Sequence, residues 1–501
     1  MISILKYLKP LLIIWFAFAI ANQSNAQTTY YLNLDSAVAI AKRQSYNMRY
    51  LRENLNQAAY QLKSINAGFL PRVDFNGSLP SYTETYNQYQ DSSGVQYFHM
   101  KQSTVEGNLQ IRQQLPTDGN LSITSTVSKL SNYQDSTKIF NVTTGISITQ
   151  PLQALYAYNS MQARYKQAKL RFELASKQFK RQELDLIYNV NQAFYALVSA
   201  EKEKDIAFQN LNRQEEAFKL AKNKYDAGLI KEVEALQIEV DLGEAINNHD
   251  EIRATYTQYA NQLKQVIGLS LKDSIVTENK LEYKLVLIDV NKAVELGLKN
   301  RTEIREREIQ IELTKLDIKS QKAQGTIQGN VSAYYNFIGM NKYGLNYSNL
   351  DAFNSTRNAM LTQPGNKGIT LSLQIPLLDW GANRSLVKFR KSILTQNKYS
   401  LENDIVTIEN DLRNTINNLQ SSLRRLQLLE KNIKLAEKSY NISYQRFTNG
   451  DIDVESLGLD RQRFNNSQLS YLRAYISYKL LLLDLNRKTF FDFEKNISLE
   501  P

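Results

Sequence analysis

The sequence predicts a mainly α-helical protein with a small β region, in which one structural plan occurs twice. Three observations support this fold class. Only 8 Pro and 19 Gly occur among 501 residues and they lie in clusters, so long stretches contain no helix breaker. Two separate groups of segments alternate apolar and polar residues, as strands with one apolar face do. The order helix, strands, long helix, tip, helix fits residues 27–268 and again residues 289–489.

Residues 1–26 have the features of a secretory signal peptide. Lys6 and Lys9 precede an apolar run at 11–21, and small residues at 24–26 offer a cleavage site. We therefore expect the mature chain to leave the cytoplasm. No later stretch provides the ~18–20 uninterrupted apolar residues that a membrane-spanning helix needs, so any crossing of a membrane would use strands.

The first repeat, residues 27–268, opens with a predicted helix at 35–66 and continues into alternating strands at about 71–150. A turn sequence at 116–120 predicts a hairpin inside this strand region. The second repeat has no equivalent of that hairpin, so the strand number of the first repeat stays open. A helical hairpin is expected at about 154–267.

The second repeat, residues 289–489, follows the same plan. A helix is predicted at 289–324, strands at about 329–376 and a helical hairpin at about 382–489. In both repeats the last strand is followed by Pro-Leu, at Pro151 and Pro376, because a proline has no N–H with which to continue the ladder.

The outgoing helices of the two hairpins, at about 154–227 and 382–448, are long. At ~1.5 Å rise per residue each spans roughly 100–110 Å. Apolar residues recur on them at steps of three and four, which is typical of helix-on-helix packing. Each long helix ends at a glycine, Gly228 or Gly450, and a shorter helix returns.

Two segments lie outside the repeated plan. Residues 269–288 mix apolar and charged side chains without a clear period, and residues 490–501 form a C-terminal tail. In the first repeat the opening helix at 35–66 and the returning helix at 230–267 together nearly match the long helix in length. We therefore expect them to stack end to end beside it, with 269–288 as an equatorial belt where they meet.

The strands are apolar on one face and carry Thr, Ser, Asn and Gln on the other. This pattern is typical of a wall between lipid and water, and it also fits a half-buried sheet of a soluble sandwich. Insertion of the strands between very long helices favours the wall. About four to six strands cannot enclose water alone, so closure requires several copies, with a barrel of about twelve strands continued by a ring of helices.

The duplicated plan, the Pro-Leu exits, the segment Asp-Trp-Gly-Ala-Asn-Arg at 379–384 and the Gly-tipped hairpins resemble the TolC-like outer-membrane efflux proteins. The resemblance covers nearly the whole mature chain and lies in the order and spacing of short motifs. It implies a homotrimer with a 12-stranded β-barrel, two strands coming from each repeat, on a periplasmic α-helical coiled-coil tunnel.

The resemblance also implies the partners and the function. The subunit would lie in outer-membrane lipid with a large periplasmic portion, dock a periplasmic membrane-fusion adaptor and serve an inner-membrane pump. It would be a passive exit duct that catalyses nothing and needs no cofactor. Drug or metal efflux and type I protein secretion share this design, so the cargo is not named by the sequence.

The resemblance assigns two groups of site residues. Adaptor docking is expected at the tips, and an acidic narrowing of the tunnel mouth is expected just beyond them. The sixth position after the tip glycine, often Asp in the family, is Glu234 in the first repeat and Ser456 in the second. Plain helix termination and solvated helix acids remain alternatives. The docking residues are Tyr225, Gly228, Leu229, Phe447, Gly450 and Asp451, and the mouth acids are Glu234, Asp453, Glu455 and Asp460.

Other functions find little support in the sequence. The absence of Cys excludes disulfides and thiolate sites, and His99 and His249 lack the spacing of metal ligands or of a triad. The net charge of +11 is interleaved along helices rather than gathered in a block, which disfavours nucleic acid as a partner. The competing hypothesis is a soluble periplasmic coiled-coil adaptor or scaffold, which would need no detergent.

Overall fold

A computed structural model describes residues 29–92, 94–278 and 281–499. The predicted signal peptide at 1–26 lies outside these residues. Asn54–Gln178 and Glu303–Asp404 form one compact unit, here called the sheet unit. The described residues before, between and after them form a second, the helical unit. In the described part of the chain, every helix is too short or too polar to span a membrane.

Both repeats contain opening helices, strands and a hairpin of one long and one shorter helix, and the second repeat has a further helix between its two strands. The first repeat contains β1 (Thr29–Leu32), α1 (Leu34–Gln44), α2 (Tyr46–Ala67), β2 (Arg72–Asp91), β3 (Gly94–Gln114), β4 (Asn120–Asn132), β5 (Thr137–Pro151), α3 (Gln153–Tyr156), α4 (Ser160–Asp226) and α5 (Glu232–Ile267). The second contains α6 (Val290–Asn300), α7 (Thr302–Gln324), β7 (Gln328–Gly344), α8 (Asn349–Thr362), β8 (Asn366–Gln374), α9 (Ala382–Asn449) and α10 (Val454–Thr489), with β6 (Ser274–Thr277) before it and β9 (Phe491–Asp492) and β10 (Ile497–Ser498) after it.

The opening helix of each repeat is broken once, where the sequence predicts a continuous helix. Ser45 and Arg301 have extended backbones between two helices. The Ser45 hydroxyl accepts a hydrogen bond from the Met48 amide at 3.1 Å and caps the second helix. The end of α5 lies against this break, since a Cβ on Gly268 would stand 2.9 Å from the Gln44 carbonyl oxygen. The C-terminal end of α5 therefore packs closely against the backbone at the break between α1 and α2.

The sheet unit contains one antiparallel sheet with the strand order β2-β3-β4-β5-β7-β8. Four strands come from the first repeat and two from the second, whereas the resemblance implies two from each. The hairpin predicted around 116–120 is formed by β3 and β4, and it pairs with β2 on one side and β5 on the other, so that the first repeat contributes four strands. The two repeats meet where β5 pairs with β7, from Thr137 opposite Gly344 to Pro151 opposite Asn330.

Helix α8 lies between β7 and β8, inside the region for which the sequence predicts strands. It packs against β5 and β7, and its buried side chains Ala352, Thr356 and Met360 recur every four residues. The close approach is possible because β7 has a glycine there: a Cβ on Gly339 would lie 2.2 Å from the Thr356 carbonyl oxygen. The Ser348 hydroxyl caps the helix by accepting from the Asp351 amide at 3.4 Å.

The first long helix begins at Ser160, six residues later than predicted. Asn159 caps it, because its side-chain oxygen accepts a hydrogen bond from the Gln162 amide at 2.8 Å. The Asp118 carboxylate also accepts from the Ser160 amide at 3.1 Å and from the Ser160 hydroxyl at 2.8 Å. The turn between β3 and β4 is thereby attached to the start of α4.

In the helical unit, short helices pack on returning ones: α1 contacts α5, and α6 contacts α10. Strand β1 pairs in parallel with β6, which lies in the predicted belt. The belt residues that follow β6 are held by tyrosines of α10. Tyr475 donates to the Glu282 carbonyl at 3.1 Å and Tyr478 to the Lys284 carbonyl at 2.9 Å.

Candidate channel wall and hairpin tips

The sheet has one face on which apolar side chains form rows across successive strands. Val73 of β2, Ile111 of β3, Ile123 of β4, Ile146 of β5 and Tyr335 of β7 are consecutive cross-strand partners. Cross-strand partners point to the same side of a sheet, so the row lies on one face. The same face carries Ile369, Leu371 and Leu373 of β8, and Ile369 is 81% exposed.

The opposite face is polar over the same rows. The Asn108 amide donates to the Thr126 hydroxyl at 2.8 Å, and the hydroxyls of Thr149 and Ser332 lie 3.2 Å apart. Such side chains can face water, whereas the exposed apolar face cannot do so favourably. The polar residues that share this face include Asp74, Asn76, Gln110, Ser122, Thr124, Thr143, Ser147, Asn330, Thr370 and Ser372.

The two hairpin tips in the helical unit have the same backbone geometry. Gly228 has φ +72° and Gly450 has φ +86°. In the first tip, the Gly228 amide donates to the Tyr225 carbonyl at 2.8 Å, and the Leu229 amide donates to the Lys224 carbonyl at 2.8 Å. The Gly450 and Asp451 amides repeat these two bonds in the second tip. Each pair of bonds is a Schellman motif, which ends a helix with a glycine in the left-handed conformation.

The tips are joined by a common hydrophobic core. Its residues come from all four hairpin helices: Ala217, Ala221, Ile238, Tyr440, Phe447, Val454, Leu457 and Phe464. Phe447 is 1% exposed, and the Lys224 ammonium lies 4.6 Å from the centroid of its ring. Lys224 also donates a hydrogen bond to the Phe447 carbonyl, so it links the first tip to the second.

The predicted docking residues therefore differ in accessibility. Leu229 is 73% exposed and Tyr225 is 41% exposed, and Asp451 is exposed. A Cβ at Gly228 or Gly450 would meet no atom within 4 Å, so the space around both glycines is open. Phe447 is buried, and its side chain supports the tips from inside rather than offering a contact surface.

The predicted mouth acids also have different surroundings. Asp453 is the N-cap of α10 and accepts a hydrogen bond from the Ser456 amide at 2.9 Å, and bonding to Ser456 lowers the pKa of Asp453. Glu455 is exposed in the first turn of the same helix, and Glu234 is half-buried in the first turn of α5. Asp460 accepts from the Ser443 hydroxyl at 2.5 Å and lies 3.3 Å from Arg463. Asp460 is therefore engaged within its own hairpin.

A polar layer that no sequence motif marks lies beside the core of the tips. The Arg461 guanidinium lies 2.8 Å from Asp241 and 2.6 Å from the Gln214 amide oxygen. The Arg213 guanidinium lies 5.2 Å from the ring centroid of Phe464, and burial lowers the pKa of Arg213. Neither arginine has a distinguishing sequence signal, because isolated charges on long helices are usually solvated.

The two histidines belong to different units, His99 to the sheet unit and His249 to the helical unit. His99 is on β3, 2.5 Å from the Glu84 carboxylate, and His249 is on α5, 3.6 Å from Asp250. Within residues 29–92, 94–278 and 281–499, three or more His, Cys, Asp or Glu side chains nowhere come together as a potential metal site.

A family model described as outer membrane efflux protein matches residues 38–269 and 294–485. Among solved structures, the chain is similar to the outer-membrane channel OprN, with 14% identity, a TM-score of 0.66, and 91% of this chain and 89% of that chain covered. The CmeC outer membrane channel of Campylobacter jejuni matches with 15% identity, a TM-score of 0.67, and 93% and 87% coverage.

A third similar structure is the MtrE outer membrane channel of Neisseria gonorrhoeae in its open state, with 14% identity, a TM-score of 0.65, and 91% and 88% coverage. At such identities the likeness concerns the fold alone. A comparison with curated protein sequences finds no match.

Proposed function

The chain belongs to the outer membrane efflux protein family, and from this premise we propose that it is the channel subunit of an efflux system. Three copies form a homotrimer with a β-barrel in outer-membrane lipid and a helical tunnel in the periplasm. Substrates leave passively through this duct, driven by an inner-membrane pump through a periplasmic membrane-fusion adaptor. The sheet with one apolar and one polar face is the observation that carries the proposal.

The apolar face of the sheet supports the channel over a soluble adaptor or scaffold. Phe75 is 73% exposed and Ile369 is 81% exposed on that face, and a soluble protein would have to leave them in water. Lipid covers such a face favourably, and the polar face then lines an aqueous lumen. Family membership favours the same choice.

The exposed parts of the tips support adaptor docking. Leu229 and Tyr225 offer apolar and aromatic surface beside Gly228, and Gly450 with Asp451 offers an open backbone turn. An adaptor's helical hairpin would pack on these residues, with Phe447 and Lys224 keeping the two tips together. The acids that would narrow the mouth are Asp453, Glu455 and Glu234, because Asp460 already has an ion-pair partner.

The proposal also specifies in which compartment the parts of the subunit lie and whether the subunit catalyses a reaction. Export would remove residues 1–26, and the helical hairpins would stand in the periplasm. The subunit would catalyse nothing and hold no cofactor. The pump would select the cargo, so drug, metal and protein cargo are all compatible with this subunit.

Size and detergent dependence of the purified mature chain test the proposal. Light scattering should show a trimer in detergent that aggregates when the detergent is removed, and the trimer should conduct ions in planar bilayers. A monodisperse monomer or dimer that stays soluble without detergent and does not conduct would instead establish the periplasmic scaffold.

A further inference from the structure

We propose that the barrel of this protein has eighteen strands rather than twelve, closed by pairing of β8 of one copy with β2 of the next. The proposal rests on the trimer proposed above and specifies how its copies join. Three copies of a six-stranded sheet supply eighteen strands. The barrel has eighteen strands only if all six strands of each copy belong to its wall.

Pairing within the sheet places β2 and β3 in the wall. Strand β3 pairs with β4 along the whole of β4, from Gln102 opposite Asn132 to Gln114 opposite Asn120. A twelve-stranded barrel would have to leave out two strands of each copy. Without β3 and β4, strand β2 would have to pair with β5, which breaks the β2–β3 and β4–β5 ladders. Without β2 and β3, the barrel would have to close through β4, and the edge of β4 that it needs is occupied by β3. Freeing that edge would break this entire ladder, and the broken backbone groups would then lack partners in lipid.

The side chains of β2 and β3 also continue the wall. The apolar row that includes Ile123 and Ile146 extends to Ile111 of β3 and Val73 of β2. Val73 is 60% exposed, like the apolar residues of β8 on the same face. A hairpin standing outside the membrane would have no reason to carry the lipid-facing pattern at the same level as its neighbours.

The two edge strands are suited to each other. Strand β2 pairs only with β3 and β8 only with β7, so each has one open edge among the described strands. With six antiparallel strands, β2 and β8 run in opposite directions, and β8 of one copy can pair antiparallel with β2 of the next. In lipid an open edge leaves N–H and C=O groups unsatisfied, and a second copy is the partner that satisfies them in a closed ring.

The stagger of the strands is compatible with closure. When directly paired residues are followed from strand to strand across the sheet, Arg72 of β2 leads to Gly368 of β8. Gly368 lies six positions before Gln374, the last residue of β8. If copies join with Gln374 opposite Arg72, the stagger is one residue per strand. With ~3.3 Å per residue and ~4.8 Å between strands, the strands tilt by about 35°, within the usual range of barrels. At equal tilt the barrel is about one and a half times as wide as one of twelve strands.

Disulfide trapping tests the junction directly, because the chain contains no Cys. Thr370→Cys is combined in turn with Asp74→Cys, Asn76→Cys or Ser78→Cys, three positions on the lumen face of β2 that allow for a register slip of two residues. The matched rival is Thr370→Cys with Thr124→Cys, the pair expected if copies join through β4. Thr370→Cys alone is the control.

After oxidation in outer membranes, at least one β2 pair should convert most of the chain into a covalent trimer on a non-reducing gel. The rival pair and the control should remain monomeric under the same conditions. Cross-linking by the rival pair, or no cross-linking by any β2 pair in a protein that light scattering shows to be a trimer, would overturn the eighteen-stranded barrel. Failure to form a detergent trimer at all would instead refute the channel proposed above.

Discussion

Gly228 and Gly450 are required at the tips by backbone conformation and not by lack of space. Both have positive φ, and both would leave a Cβ in open surroundings. Substitution by a β-branched residue would impose about 1–2 kcal/mol of strain at each turn. Asparagine tolerates the left-handed conformation better and still adds a side chain, so it separates helix termination from docking.

We predict that the double variant Gly228→Asn/Gly450→Asn keeps its trimer and its thermal midpoint but no longer cross-links to the adaptor through a photoreactive residue at position 229. The added side chains would project where the adaptor packs, while both Schellman motifs persist. The double valine variant should lower the thermal midpoint as well. Unchanged cross-linking in the asparagine variant would leave the glycines with helix termination only.

Tyr475 and Tyr478 hold the belt through phenols that must stay protonated to donate. Burial raises the pKa of both tyrosines above the ordinary value near 10. Because the folded protein binds these protons more tightly than the unfolded chain, their contribution to stability is complete below about pH 10 and is lost as pH rises through the folded values.

The double variant Tyr475→Phe/Tyr478→Phe should therefore have a lower thermal midpoint than the parent at pH 8. Each lost hydrogen bond removes about 1 kcal/mol. Above pH 10 the parent should lose stability faster than the variant, so the gap between their midpoints narrows. Calorimetry across pH 8–11 measures it, and a gap that stays constant or widens would contradict the role of the phenols.

At the scale of elements, α8 depends on one glycine of β7. A Cβ on Gly339 would lie 2.2 Å from the Thr356 carbonyl oxygen and 2.8 Å from the Met360 Cβ. Because backbone atoms cannot yield as a flexible side chain can, Gly339→Ala should displace α8 from the sheet. Protease cleavage between β7 and β8 should then become faster. Gly344→Ala is the matched control in the same strand, since its Cβ would meet nothing within 4 Å, and equal cleavage of both variants would contradict the prediction.

The elements differ in how much of them the sequence reveals. The hairpin tips were predictable because a glycine after a long apolar period is a strong local signal, and β4 and β5 were predictable from alternation. The break at Ser45 was not, because packing of Gly268 against the Gln44 backbone accompanies it and neither Gly nor Pro marks it. Ser348, a residue type that often caps helices, precedes α8 in the sequence. The alternation of apolar and polar residues on either side of α8 nevertheless favours strands over this region.

At the candidate site too, features that depend on tertiary packing leave no local signal in the sequence. The sequence places Phe447 next to Gly450 but cannot distinguish an aromatic ring that faces a partner from one that fills the core. The ring is buried among residues from four helices that are distant in sequence. Likewise Asp460 and Asp453 look alike as acids beyond a tip, whereas the fold gives Asp460 a hydroxyl donor and an arginine.

At the scale of the whole assembly, three copies of a few acids that are at least partly exposed would give the tunnel mouth a negative electrostatic potential. In the proposed trimer, Asp453, Glu455 and Glu234 would each occur three times around the tunnel mouth. Like charges in a narrow opening attract cations, and screening is weak within about 10 Å at 0.1 M salt. Hydrogen bonding from Ser456 keeps the pKa of Asp453 low, so this charge persists in mild acid.

We predict that Asp453→Asn, Glu455→Gln and Glu234→Gln together reduce cation preference and single-channel conductance in planar bilayers, most clearly at 0.1 M salt or below. Asn retains the N-cap that Asp453 provides, so α10 should begin at the same residue. The control is Asp250→Asn, an exposed acid further along α5, which should leave the currents unchanged. Equal currents in the triple variant and the parent would place these acids on the outer surface of the tunnel, and equal losses in the control would attribute the effect to net charge alone.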